Sequence, residues 1–208
     1  MRASEPGRSL RALVPLTAVL FASDWAYRQV GDSFFPGGPL DEAAHLATAF
    51  VLLMALPRRL SHRLWWPAVL VASVAIDLDH IPGYLGDDFL TRGTPRPYTH
   101  SLTTVLAVIV MAILWRRRRR LLVSIAVGLC IHFFRDAAEG NGSGIALIWP
   151  ASDRAFSYSH TLYVGIMAGI AVVAARGLWN RCPAQPSRSQ GDQQSYTMSG
   201  RAVDTKLR

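Results

Sequence analysis

Six apolar runs, at residues 12–27, 43–57, 64–84, 101–115, 121–134 and 161–179, set the terms on which this chain can fold. Each run must be buried against another run or against lipid, so they outweigh every other signal in the sequence. Three of them are only 14 or 15 residues long, short of the ~20 that a bilayer core asks of a helix. They reach that length if each helix continues by a turn of polar residues at one end. A soluble helical protein with buried core helices is the alternative that the short runs leave open.

The linkers between the runs argue for the membrane. If successive linkers alternate sides, one side holds the N-terminus, the 58–63 linker "RRLSHR", the run Arg116–Arg120 and the tail from Arg176. That side carries 17 of the 22 Lys and Arg residues, while the other carries 11 of the 14 Asp and Glu residues. One alternating topology therefore sorts both signs, which is the positive-inside pattern. The expected fold is an all-α, multi-pass transmembrane helical bundle of about six spans in the inner membrane, with both termini cytoplasmic. The N-terminal segment, residues 1–27, also reads as a signal sequence, and its cleavage would leave five spans. The helical domain covers residues 1–181, and the polar 182–208 tail is expected to be disordered. The net charge is +8, but the arginines punctuate apolar runs instead of lying among polar and aromatic residues. That favours membrane lipids over nucleic acid as the partner. Cys130 lies in an apolar run and Cys182 in the tail, so neither a disulfide framework nor a cysteine metal site is expected.

Five of the six histidines fall at the non-cytoplasmic ends of the runs. His45 follows Asp41 and Glu42. His80 closes "AIDLDHIP" with Asp77 and Asp79. His132 and Asp136 close the fifth run in "HFFRD". His100 and His160 open the fourth and sixth runs within two matching phrases, "YTHSL" and "YSHTL". Only His62 faces the cytoplasm. Thr99 and Ser159 are expected to cap the helices that follow and to hold each histidine in a first turn. The result is three hairpins on one plan, acid at an outgoing end and histidine at the returning start. Asp24 would then face His45.

Spacing limits what these groups can do. His132 and Asp136 are four apart and share a helical face, as do Asp77 and His80, three apart. Asp79 turns inward only if the helix loosens there, and Pro82 biases Ile81 away from helix. Mixed imidazole and carboxylate ligands suit one or two divalent ions, Zn first, with Mn or Fe possible, and two ions could share a bridging Asp. Asp24 and Glu139 read more simply as structural residues. The arginine run reads as a topology anchor, and Trp65 and Trp66 as an interfacial belt.

At these residues the chain resembles the YdjM-type family of membrane-bound metal-dependent hydrolases, over roughly His45 to Pro150. The resemblance rests on the early histidine, "DLDH", "RPYTHS" and "HFFRDAAEGNGSGIALIWP". It implies His45, Asp77, Asp79, His80, His100, His132 and Asp136 as metal ligands. The family element usually begins His-Arg, whereas here Pro95 precedes Arg96, so one ligand is lost or His160 substitutes for it. The implied activity is metal-dependent hydrolysis of an amphiphilic ester or phosphoester at the outer membrane surface. Arg96 or Arg135 would contact an anionic oxygen. A divalent-metal transporter and a non-catalytic protein with a structural metal site are the alternatives. No Gly-x-Ser-x-Gly element supports a serine hydrolase.

Overall fold

In a computed structural model of the protein, residues 6–31, 33–138 and 144–179 are described. They are all-helical, with two isolated bridges and no strand among the described residues. The helices are α1 (Pro6–Val30), α2 (Gly37–Ala55), α3 (Arg58–Ser61), α4 (Trp66–Ala75), α5 (Ile81–Tyr84), α6 (Leu102–Leu114), α7 (Arg119–Asp136) and α8 (His160–Trp179). Each apolar run seeds a helix. The 101–115 run gains nothing at its ends and yields only the 13 residues of α6, but two of the short runs lengthen by polar residues at their ends. Thus α2 gains Asp41 and Glu42, and α7 gains Arg119, Arg120, Arg135 and Asp136. Glu139 and the 182–208 tail lie outside the described residues.

Two apolar clusters hold the bundle. Leu13 and Leu20 of α1 pack with Ala44, Ala47 and Val51 of α2 and with Tyr163 and Met167 of α8. Val105 and Val108 of α6 pack with Leu122, Ala126, Leu129 and Phe133 of α7. Helix α4 lies against α7, and α2 touches α4, α7 and α8. Gly128 is what lets α4 and α7 meet so closely. A Cβ there would stand 2.4 Å from the Val69 carbonyl oxygen and 2.8 Å from Ala72 Cβ.

The two ends of the bundle differ. At one end Arg120 donates to the carbonyls of His62 (3.1 Å) and Leu64 (2.9 Å), tying the two arginine-bearing linkers together. The acidic and histidine-bearing segments gather at the other end. Among the described residues, one helix, His160–Leu178, is long and apolar enough to cross a membrane by length and composition. The others are shorter or carry charge: α6 has 13 residues, and α4 stops at Ala75 after ten.

That stop matters for the site. After Ala75 the chain tightens into a 3₁₀ turn, Ile76–His80, and then resumes as α5. The loosening therefore comes before Pro82, not at Ile81, which keeps helical angles (φ −54°, ψ −45°). Pro82 sits in the first turn of α5, where its missing N–H is not needed. Thr99 is not a helix cap either. The cap position of α6 is Ser101, whose hydroxyl turns back to the Tyr98 carbonyl (2.9 Å), and the Thr99 hydroxyl donates to Asp79. The Leu102 N–H is satisfied by the Leu147 carbonyl at 2.9 Å, so α6 can begin three residues later than Thr99.

Candidate metal centre

Four segments converge on Asp77. The 3₁₀ turn brings Asp77, Asp79 and His80. The loop before α6 brings His100, α2 brings His45, and the last turn of α7 brings His132 and Asp136. Asp77 Oδ1 lies 3.1 Å from His100 Nε2, 3.3 Å from His80 Nδ1 and 3.4 Å from His132 Nε2. Asp136 Oδ2 lies 3.0 Å from His132 Nε2 and 3.6 Å from His100 Nε2, while its Oδ1 is 3.2 Å from His45 Nε2. Asp79 reaches His80 Nδ1 at 3.1 Å and His100 Nδ1 at 3.3 Å.

These distances suit ligand atoms around an ion. Two ligands each ~2.1 Å from a tetrahedral ion stand roughly 3.4 Å apart. Three overlapping groups have that character: Asp77, Asp79, His80 and His100; Asp77, His100, His132 and Asp136; and Asp41, His45 and Asp77. Asp77 is common to all three, which places it where two adjoining ions could share it.

Hydrogen bonding points the same way. The His132 Nδ1 donates to the Ser73 carbonyl at 3.0 Å, because a carbonyl can only accept. The proton is thereby fixed on Nδ1, and the Nε2 lone pair is turned toward Asp77 and Asp136. Yet several buried atoms have no hydrogen-bond partner of good geometry, among them both His45 nitrogens, Asp77 Oδ2 and both Asp136 oxygens. Buried polar atoms are rarely left so. Here they sit at ion-pairing distance but aim past one another, as donors do when they share a cation. His45 and His132 are 0% exposed and His100 1%, so water does not satisfy them. The donor set fits a divalent ion.

Electrostatics bear on the same groups. Asp41, Glu42, Asp77, Asp79 and Asp136 gather around two guanidinium groups, Arg96 and Arg135. The two arginines and protonated histidines, or a bound cation in place of the imidazole protons, offset the carboxylates gathered there. Burial alone would lower the His100 imidazole. Its hydrogen bonds to Asp77 and Asp79 and the charge of Asp136 outweigh burial and raise it to about 9. Arg96 is likewise opposed by burial but held more firmly charged by Asp136, Asp41 and Asp77.

The two arginines part company. Arg96 Nη1 reaches Asp136 Oδ2 at 3.3 Å and also lines a cavity of about 640 Å³ beside Asp41, Glu42, Asp77 and His80. Arg135 is buried behind the centre, where it pairs with Asp41 and, at 3.0 Å, with Asp24. Of the two expected anion contacts, Arg96 is the one that faces the open cavity.

His160 stands apart from the three ligand groups. Its Nε2 is 3.0 Å from Asp24 Oδ2, in a small polar pocket with Arg135 and Tyr163. Pro95 lines the large cavity, whereas His160 shares the small pocket with Arg96 and belongs to none of the three ligand groups. Asp24, expected to face His45, pairs with Arg135 and His160 and is 5% exposed. Asp41 was not among the expected ligands. It is four residues before His45 on one face of α2, their side chains 3.9 Å apart. That is the same i, i+4 signal that pointed to His132 and Asp136.

A family model described as YdjM inner membrane protein matches residues 40–193, about three quarters of the chain. The match spans every candidate ligand and leaves α1, with Asp24, outside it. No curated protein and no solved structure matches.

Proposed function

The chain belongs to the YdjM inner membrane protein family, and from that premise we propose that it is a membrane-bound, metal-dependent hydrolase of an amphiphilic ester or phosphoester. The observation that carries the reading is the position of the ligand cluster, at the floor of a cavity of about 640 Å³ that Asp41, Glu42, Asp77 and His80 help to line. Structural metal sites are closed, whereas catalytic ones keep a position open. A divalent ion held there would supply Lewis acidity to the bond under attack and acidify attacking water.

The protein's own groups divide the remaining work. Ser73 holds the tautomer and orientation of His132, and Thr99 holds Asp79. Arg96, 16% exposed at its side chain, offers N–H donors to an anionic substrate oxygen. In the overall reaction water adds its oxygen to the carbonyl carbon or phosphorus, the ester C–O or P–O bond breaks, and the alcohol leaves with a proton.

The membrane arrangement is part of the same reading. We infer about six spans, with the arginine-bearing linkers cytoplasmic and the metal centre at the outer surface. Beyond the charge partition, it is supported by large apolar side chains turned outward on several helices, such as Val14 of α1, Leu106 and Ile113 of α6 and Val173 of α8. Lipid is the solvent that such faces suit.

The test is metal analysis of the purified protein together with hydrolysis of a panel of carboxylic esters and phosphoesters. One or two divalent ions per chain, with turnover abolished in Asp77→Asn, is the expected result. Bound metal without turnover on any substrate, and a melting temperature that falls with each ligand removed, would mean that the ion only staples the helices.

A further inference from the structure

The cavity above the ligand cluster has two unlike halves. Its floor is polar, with Asp41, Glu42, Asp77, His80 and Arg96. Its mouth is apolar and comes from two segments, Phe34 and Phe35 before α2, and Leu78, Ile81 and Tyr84 on the 3₁₀ turn and α5. The Phe34 and Tyr84 rings meet edge to face, 5.4 Å between centroids, joining the two segments at the rim. These mouth residues are not a folded core. Phe34 is 71% exposed, Phe35 78% and Leu78 64%. Such a concentration of exposed apolar surface beside a polar site calls for an apolar ligand.

We propose that this cavity binds a phosphoester bearing a long alkyl chain, with the phosphate against Arg96 and the metal centre and the chain leaving between Phe34, Leu78 and Tyr84. The site rests on the hydrolase reading for its chemistry, but its shape and polarity stand without it. Against the carboxylates of Asp41 and Asp77 in the same lining, the phosphate is held by Arg96 together with a metal ion at the floor. Arg96 is the guanidinium that faces the cavity, and a divalent cation at the floor would add positive charge beside it. The mouth selects the tail, since a short water-soluble ester would leave the aromatic rim uncovered. A volume of about 640 Å³ lies within the range of pockets that enclose a ligand of that size.

The experiment compares dodecyl phosphate with ethyl phosphate on the full-length, zinc-loaded protein in one non-ionic detergent, by isothermal titration. Partition of dodecyl phosphate into the micelles is measured separately, and both affinities are expressed against free probe, so that the two probes can be compared. Wild type should bind dodecyl phosphate at least tenfold more tightly than ethyl phosphate. Phe34→Ala and Leu78→Gln, both at exposed positions, should each weaken dodecyl phosphate by a much larger factor than ethyl phosphate, removing most of that preference. Arg96→Gln should weaken both probes. Leu114→Ala, 78% exposed on α6 away from the cavity, should alter neither. Equal affinity for the two probes in wild type would overturn the proposal, as would a chain preference untouched by both mouth variants. Hydrolysis is scored separately on p-nitrophenyl phosphate and on p-nitrophenyl dodecyl phosphate. Chain-dependent binding with no hydrolysis of either, nor of any ester in the panel above, keeps the site and defeats the hydrolase reading. Hydrolysis without any chain preference does the reverse.

Discussion

Asp77 is the side chain on which the site turns, since each of the three ligand groups includes it. Replacing it by Asn removes charge but not volume, so the fold should survive while metal is lost. The loss in affinity should exceed the ~10–100-fold typical of supporting partners. His132→Ala and Asp136→Ala should each lower metal occupancy as well. His62→Ala, exposed among the arginines at the opposite end, should leave the metal-to-protein ratio at the wild-type value. Metal analysis of the four variants side by side decides it, and equal loss in His62→Ala would rule out a one-sided site. His100 gives a pH test. Its pKa is raised from 6.5 to about 9 in the metal-free protein. The stabilisation from its protonated ring is thus fully present below about 6.5 and is lost as pH rises through about 9. A metal ion requires that ring deprotonated. Uptake should therefore release protons, and affinity should increase with pH up to about 9. Chelated protein should lose melting temperature between about pH 6.5 and 9, and metal-loaded protein should lose less.

At the scale of elements, the contact between α4 and α7 sets the geometry of the centre. Gly128 allows it, and the same contact carries the Ser73 carbonyl to His132 Nδ1. Gly128→Ala would push a methyl group against the Val69 carbonyl and part the helices, at about 1–3 kcal/mol for an overpacked core. Melting temperature and metal affinity should fall together, although residue 128 has no side chain to offer a metal. A lowered melting temperature with unchanged affinity would show that the helix contact does not set the ligand geometry. His160 makes the opposite case. It opens α8 in the same phrase that carries His100 before α6, yet its partner is Asp24 of α1. His160→Ala should leave metal content intact. The matching phrases encode similar short sequences but different structures, because α6 starts after Ser101 whereas α8 starts at the histidine itself.

For the whole molecule, the test is which end faces the cytoplasm. With Cys130 and Cys182 replaced by Ser, a cysteine at position 61 should be labelled only from the cytoplasm and one at position 90 only from outside. Labelling of both from one side would dissolve the alternating topology and the outer position of the centre with it. The same arrangement separates the Arg120 contacts with the 58–65 linker from the ligand cluster by the length of α7. Eighteen helical residues span about 27 Å, close to a bilayer core.

Much of this was legible in the residues themselves. The apolar runs placed the long helices, because burying an apolar stripe is the strongest local demand a chain makes. The i, i+4 spacing put His132 and Asp136 on one face, and the same rule, applied to α2, would have added Asp41 to His45. Charge alternation placed the histidines at one end. Tertiary structure alone decided which of them meet. A loosening of α4 six residues before Pro82 gathered Asp77, Asp79 and His80, and the turn before α6 gave His100 to the centre and Thr99 to Asp79. It also took Asp24 and His160 away to Arg135 and divided the two arginines between a buried pair and an open cavity. The physical reason is that spacing along one helix fixes only which side chains share a face. What that face meets depends on how far apart neighbouring helices stand and how each is turned, and here a single glycine and a 3₁₀ turn set both.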